Sequence, residues 1–233
     1  MTNNMITKEK VYDWIVNAIY EKTRQYSDNI IHVSEVSGCL RKAYYIRKYG
    51  QDIIPKYAVL MSYGNGIHEL LQNYLIKKGW RIEYPVSRQF KYLRLVGHID
   101  LYEPRQNIVV EIKTTSKIPR EPYTEHVRQI NTYAYLLGTM PTLYLIYIDR
   151  MGDIKVFNIP RNYELWKDMI KRAYYLYYSI RDNKEPRREK NHLCEYCPFK
   201  DKCLYPYSRH TTKKEKKEEL IPELEDYNDF IMT

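Results

Sequence analysis

Apolar residues in the first part of the chain recur with the helical period. Val11, Trp14, Ile15, Ala18 and Ile19 follow Thr7, a residue suited to capping, and predict an amphipathic helix over residues 8–26. A second helix is predicted over Ser34–Tyr49. A third is predicted over Ser62–Lys78, with Ile67, Leu70, Leu71, Tyr74 and Leu75 as its buried stripe and Gly79 as its stop. The pattern then shortens to strand-like runs over residues 80–85, 90–101 and 108–115, the last two forming a hairpin around Glu103-Pro-Arg-Gln-Asn107. A helix over Glu121–Leu137 follows. Strands over Leu143–Asp149 and Ile154–Ile159 are joined at Met151-Gly152-Asp153, and a long helix over Tyr163–Arg181 carries the aromatic stripe Tyr174-Tyr175-Leu-Tyr177-Tyr178. Helices flanking a central run of strands read as an α/β, mixed α+β class without a clean β-α-β alternation.

The 233 residues, 44% of them hydrophobic, suffice for one main domain with a small appendage. The expected divisions are an N-terminal helix over residues 1–30, a central domain over 31–183, a loop-rich Cys-containing module over 184–210 and a charged flexible tail over 211–233. Apolar runs are far too short to span a bilayer, and the first residues lack a basic stretch leading into an apolar one. The expectation is a cytoplasmic protein with no membrane partner. Net charge is +9, but residues 218–233 carry six acidic groups and no basic ones, leaving +15 on the rest of the chain. Such a surplus suits a polyanionic partner, nucleic acid among them.

Candidate chemistry concentrates on the central hairpin. If it turns about Arg105 and Gln106, paired residue numbers sum to 211, and Asp100 in Gly97-His-Ile-Asp100 faces Glu111 of Glu111-Ile-Lys113. Alternation then puts Lys113 on the face of Glu111. Two facing carboxylates repel unless a cation or a proton lies between them, so the pair suits a hard divalent ion, with Lys113 placed to orient water or to stabilise charge developing on a phosphate. The plainer alternative is a solvated face of cross-strand salt bridges. Against that alternative, Ile108-Val-Val110 and Ile112 make the strand apolar, a poor place for charges that serve no site.

This D-x10-E-x-K pattern resembles the PD-(D/E)xK nuclease superfamily. His68 looks like the helix histidine of its RecB-like branch, and Gln129-Ile-Asn-Thr-Tyr133 resembles that branch's Q-x3-Y motif. The resemblance implies a restriction-endonuclease-like core, a central mixed sheet flanked by helices. It also implies Mg2+ or Mn2+ held by His68, Asp100, Glu111 and the backbone carbonyl of Ile112 for phosphodiester hydrolysis, with Lys113 at the nucleophile. At a spacing of four, Gln129 and Tyr133 share a helical face and are expected to point together at the site or at the DNA strand.

Four cysteines remain. Cys194-x2-Cys197-x5-Cys203 has metal-ligand spacing with one ligand lacking, and Cys39 is the remaining thiol. Four thiolates accept zinc or an iron–sulfur cluster, and His192 is a competing zinc ligand. One early and three late cysteines bracketing a RecB-like core resemble the CRISPR-associated exonucleases of the Cas-four family and AddB-type nucleases. That resemblance implies a 4Fe-4S cluster in a C-terminal Cys-rich module. It further implies a 5′-to-3′ exonuclease on single-stranded DNA or DNA ends, working in CRISPR spacer acquisition with adaptation proteins such as the integrase complex. A stand-alone recombination or repair nuclease and a non-catalytic DNA-binding protein stay open, as does a homo-oligomer. Arg41-Lys42-Ala-Tyr44-Tyr45 is a candidate surface for stacking unpaired bases.

Overall fold

The computed structural model describes residues 6–21, 26–51 and 53–204, which fall in two compact units divided after Glu189. In the first unit, α1 (Lys8–Glu21) packs on α4 (Pro55–Leu75). The rest of the helix expected to residue 26 runs into residues outside those described. Pro55 occupies the first turn of α4, where its missing N–H costs nothing, so the helix begins earlier than the sequence pattern suggested and runs through Gly64 and Gly66. A Cβ at Gly64 would lie 2.7 Å from Thr114 Oγ1, so glycine lets α4 cross close over the sheet. A 3-10 turn and Gly79, at φ +90°, end the helix.

The predicted helix over Ser34–Tyr49 is in fact two, α2 (Val33–Ser37) and α3 (Leu40–Tyr49), broken at Gly38-Cys39. The break is held from outside. Arg172 Nε donates to Val36 O at 2.6 Å and Arg172 Nη2 donates to Gly38 O, while Leu40 N donates to Glu189 Oε2 at 2.9 Å. Arg172 also pairs with Glu189, so one buried guanidinium satisfies the orphan carbonyls of α2 as Glu189 receives the first N–H of α3. The stacking surface expected at Arg41–Tyr45 is absent. Tyr44 and Tyr45 are 2% and 1% exposed, and their hydroxyls donate to Asn183 Oδ1 and Glu185 Oε2, both at 2.9 Å. Arg41 Nε is spent on Pro186 O. This segment straps residues 183–189 onto α3, a task that alternation of charge and aromatics does not reveal.

A mixed sheet of six strands forms the core: β1 (Ile30–His32), β2 (Arg81–Gln89), β3 (Arg94–Glu103), β4 (Ile108–Thr115), β5 (Thr142–Asp149) and β6 (Ile154–Ile159). The hairpin of β3 and β4 pairs Leu101 with Val110, Tyr102 with Val109 and Glu103 with Ile108, the register that the turn at Arg105-Gln106 predicted. β4 and β5 run parallel, linked by α5 (Thr124–Leu137), so one β-α-β unit is present after all. β2 pairs with β3 from Arg94 to Tyr102. A strand has two edges, so β1, pairing at Arg94–Val96, and β4, pairing from Leu101, share the other one. Between them Gly97–Asp100 have no ladder partner on that edge, and the sheet opens there.

α4 covers one face through Leu71 and Leu75, which pack on Leu101, Val110 and Ile112. α5 packs against β2–β5 and against α6 (Tyr163–Arg181), which has the predicted bounds and buries Trp166, Met169, Ile170, Ala173, Tyr174 and Leu176. Asn162 caps it, accepting from Glu164 N and Leu165 N. In the second unit a 3-10 turn (His192–Tyr196) and α7 (Lys200–Leu204) are described. The expected tail lies outside the described residues. Among the described residues no helix is long and apolar enough to cross a membrane.

Candidate active site

Where β3 and β4 part, side chains replace the missing ladder. Asp100 Oδ2 accepts the N–H of Ile112 at 2.8 Å, so the carboxylate is fixed by the strand it separates from. Extending the register places Glu111 opposite Asp100, and both are buried, 2% and 8% exposed respectively. Lys113 Nζ lies 2.7 Å from Glu111 Oε1 and donates to Gln129 Oε1 at 3.0 Å. Gln129 Nε2 in turn donates to Tyr133 OH at 2.8 Å. Gln129 and Tyr133 are thus buried and linked in a chain to Lys113. His68 reaches in from α4, its Nδ1 3.7 Å from Asp100 Oδ2 and its imidazole against the backbone of Ile112.

These groups line an open cleft of about 830 Å³, to which α1 contributes Ile19. Charge within it is not balanced. Burial pushes the Asp100 carboxyl up to about 6, and burial together with the neighbouring Asp100 pushes Glu111 up to about 8. Burial also works against the Lys113 ammonium, but Glu111 and Asp100 beside it prevail and raise it, keeping the charge. Burial lowers His68, leaving a neutral imidazole able to donate a nitrogen lone pair. Glu111 Oε2 is buried and has no hydrogen-bond partner. A buried carboxylate oxygen without a partner is costly, and a hard divalent cation is the partner that an oxygen-rich, partly hydrated cleft accepts. Asp100, Glu111, His68 and the Ile112 main chain therefore fit such an ion.

One residue of this cleft escaped the sequence. Glu83 on β2 brings a carboxylate into a group with His68 and Asp100 whose ligand atoms all lie within 4.8 Å of one another. A run of strand ending at Pro85 leaves no pairing register from which to find it. The full-length β2, paired as Ile82 with Leu101 and Tyr84 with Ile99, puts Glu83 beside Asp100.

The cysteines fare differently. In the second unit Cys194, Cys197 and Cys203 are half-buried, and Cys194 Sγ lies 3.4 Å from Asn191 N. Among the described residues these three thiols do not form a group with ligand atoms all within 4.8 Å of one another, as His68, Glu83 and Asp100 do. Cys39, in the first unit, caps α3 at the break that Arg172 holds. The side chain of His192 lies outside the described residues.

Comparison with known proteins agrees with this architecture. Residues 76–204 match the family model described as the PD-(D/E)XK nuclease superfamily. No curated protein matches the sequence. Among solved structures, that of SSO0001 is similar with a TM-score of 0.61 at 21% identity, over 84% of this chain and 94% of that one. A candidate exonuclease from Eubacterium rectale is similar with a TM-score of 0.52 at 12% identity, over 91% of this chain and 97% of that one. At such identities the likeness concerns the fold alone.

Proposed function

This chain belongs to the PD-(D/E)XK nuclease superfamily, and from that premise we propose that its cleft hydrolyses DNA as an exonuclease on single-stranded DNA and DNA ends, from 5′ to 3′. The observation that carries the reading is the buried pair Asp100 and Glu111 with the half-buried Lys113 beside them, and a partnerless carboxylate oxygen that suits a divalent cation. Mg2+ or Mn2+ supplies a Lewis acid that withdraws charge from the phosphate and makes water more acidic. Asp100, Glu111, His68 and the Ile112 carbonyl would hold it. Lys113, anchored by Gln129, presents its ammonium where negative charge grows on the phosphate or where the nucleophile must be oriented. Tyr133 fixes Gln129, so the Q-x3-Y pair works through Lys113 and not by gripping the nucleic acid.

Single-stranded substrate is supported by exposed aromatics on α4, Tyr63 and Tyr74, the latter with Lys78 Nζ 5.5 Å from its ring centroid, on a chain of net positive charge. The spacing of Cys39, Cys194, Cys197 and Cys203 suits a four-thiolate metal site, and the resemblance to the Cas-four family favours a 4Fe-4S cluster over zinc there and, with it, a place in CRISPR spacer acquisition beside the integrase complex. The test pairs 5′- and 3′-labelled single strands and duplexes with Mn2+, Mg2+ or EDTA. Release of nucleotides from the 5′ end of single strands in either cation, and none in EDTA, is expected; intact DNA under every condition contradicts the reading. Anaerobically purified protein is expected to be brown with about four irons per chain. Colourless protein with a single zinc would overturn the cluster without touching the cleft.

Gly97 sets a further expectation. A Cβ there would lie 2.5 Å from Tyr133 Cε1 and 3.1 Å from Val33 Cγ2. Gly97→Ala therefore displaces Tyr133, loosens Gln129 from it and lets Lys113 wander. Overpacking of this kind costs about 1–3 kcal/mol, read by thermal unfolding, and nucleolytic rate is expected to fall roughly tenfold or more. An unchanged rate would show that Tyr133 does not position Lys113.

A further inference from the structure

β3 carries Asp100 at the centre of the cleft, with β2 along one edge and β4 along the other. Acidic side chains stand on both sides of it, Glu111 from β4 and Glu83 from β2. Glu83 is no ordinary strand residue. It drops out of the β2–β3 ladder between two regular pairs, its φ is +43°, and its Oε1 accepts from Gln72 Nε2 of α4 at 3.0 Å. Its carboxylate is exposed to the cleft instead of lost in the core.

The oxygens of Glu83 and Asp100 and a ring nitrogen of His68 lie within 4.8 Å of one another, while Glu111 is outside that group. Donors on opposite sides of a divalent ion stand about 4–5 Å apart, so this trio needs little contraction to close on one. The second, independent sign of a ligand is the buried Glu111 Oε2, which lacks a partner on the other side of Asp100. One cation held by Asp100, Glu111 and His68 would leave Glu83 unused, and one cation at the trio would leave Glu111 Oε2 unsatisfied.

We propose that Glu83 is a ligand of the metal centre, taking a divalent cation together with His68 and Asp100 on the edge of β3 opposite Glu111. Asp100 is then shared between two cation positions, an inner one with Glu111 and the Ile112 carbonyl and an outer one with Glu83, and with both positions filled His68 belongs to the outer ion. Gln72 holds the Glu83 carboxylate by one oxygen and leaves the other to the ion. The inference rests on the reading of the cleft as a divalent-cation site, and extends it to a residue outside the D-x10-E-x-K pattern.

Calorimetric titration of the full-length protein with Mn2+, in the absence of DNA, tests it with Glu83→Gln and Glu111→Gln beside the wild type. Glu83→Gln is expected to lose one of the wild type's Mn2+ ions, or to bind it roughly tenfold or more weakly, with its melting temperature in EDTA unchanged. Glu111→Gln is expected to weaken the other ion. Wild-type stoichiometry and affinity in Glu83→Gln, with binding lost in Glu111→Gln, would overturn the role of Glu83 alone. Wild-type binding in both variants would overturn the cation reading of the cleft as well.

Discussion

Arg172→Met is expected to destabilise the chain by about 3 kcal/mol, the low end for removing one partner of a buried ion pair. The low end applies because the Glu189 side chain is still 33% exposed and recovers some hydration, whereas Arg172 is 10% exposed. The loss does not stop at the pair. Val36 O and Gly38 O lose their donor, and an unsatisfied buried carbonyl costs about 1–3 kcal/mol. Glu189, whose carboxyl burial raises but Arg172, Leu40 N and Arg128 together hold below its ordinary range, would drift upward and release Leu40 N. The break between α2 and α3 would loosen, and Cys39 stands at that break. Denaturant unfolding of Arg172→Met reads the loss. Stability within about 0.5 kcal/mol of wild type would show that the clasp is surface decoration.

Glu111→Gln is expected to flatten the pH dependence of stability without metal. In the folded chain Glu111 titrates at about 8 instead of 4.5, so it favours the proton more when folded than when unfolded. Its contribution to stability is present below its ordinary value and is lost as pH rises through about 8. Asp100, raised to about 6, behaves the same way lower down, and His68, lowered by burial, opposes it below 6.5. The clean window is therefore from about pH 7 to pH 9, where Glu111 alone of the three changes charge. In EDTA the wild-type melting temperature should fall across that window, and Mn2+ should restore it by binding the ionised carboxylates. Glu111→Gln imitates the protonated state, so its curve should be flatter and lie above wild type at the upper end. Parallel curves would mean that Glu111 is not held against its charge.

Much of this site is legible in the chain because a tight hairpin converts sequence distance into spatial register. The turn at Arg105-Gln106 fixes which residue faces which, and alternation does the rest for Lys113. The helix faces of α5 and α6 follow from their period for the same local reason. What stayed hidden depends on pairing across long separations. β1 is three residues that pair in parallel with β3, sixty-odd positions away, and nothing local marks them. Glu83 becomes part of the cleft only through the full β2–β3 ladder and a left-handed backbone that no neighbouring residue announces. Tyr44 and Tyr45 look like a stacking surface because exposure is not written in a helix that is buried on more than one side. Arg172 reads as an ordinary charge on α6, although its partners lie on α2 and beyond the helix end.

Asp100, Glu111 and Lys113 are proposed as the catalytic site of a divalent-cation-dependent nuclease. End-labelled single-stranded DNA incubated with Mn2+ and either wild type or Glu111→Gln, the variant shown by its melting curve to be folded, tests it most directly. Degradation by the wild type is expected, with a rate lower by roughly 10³-fold in the variant. Degradation at the wild-type rate by Glu111→Gln would contradict it.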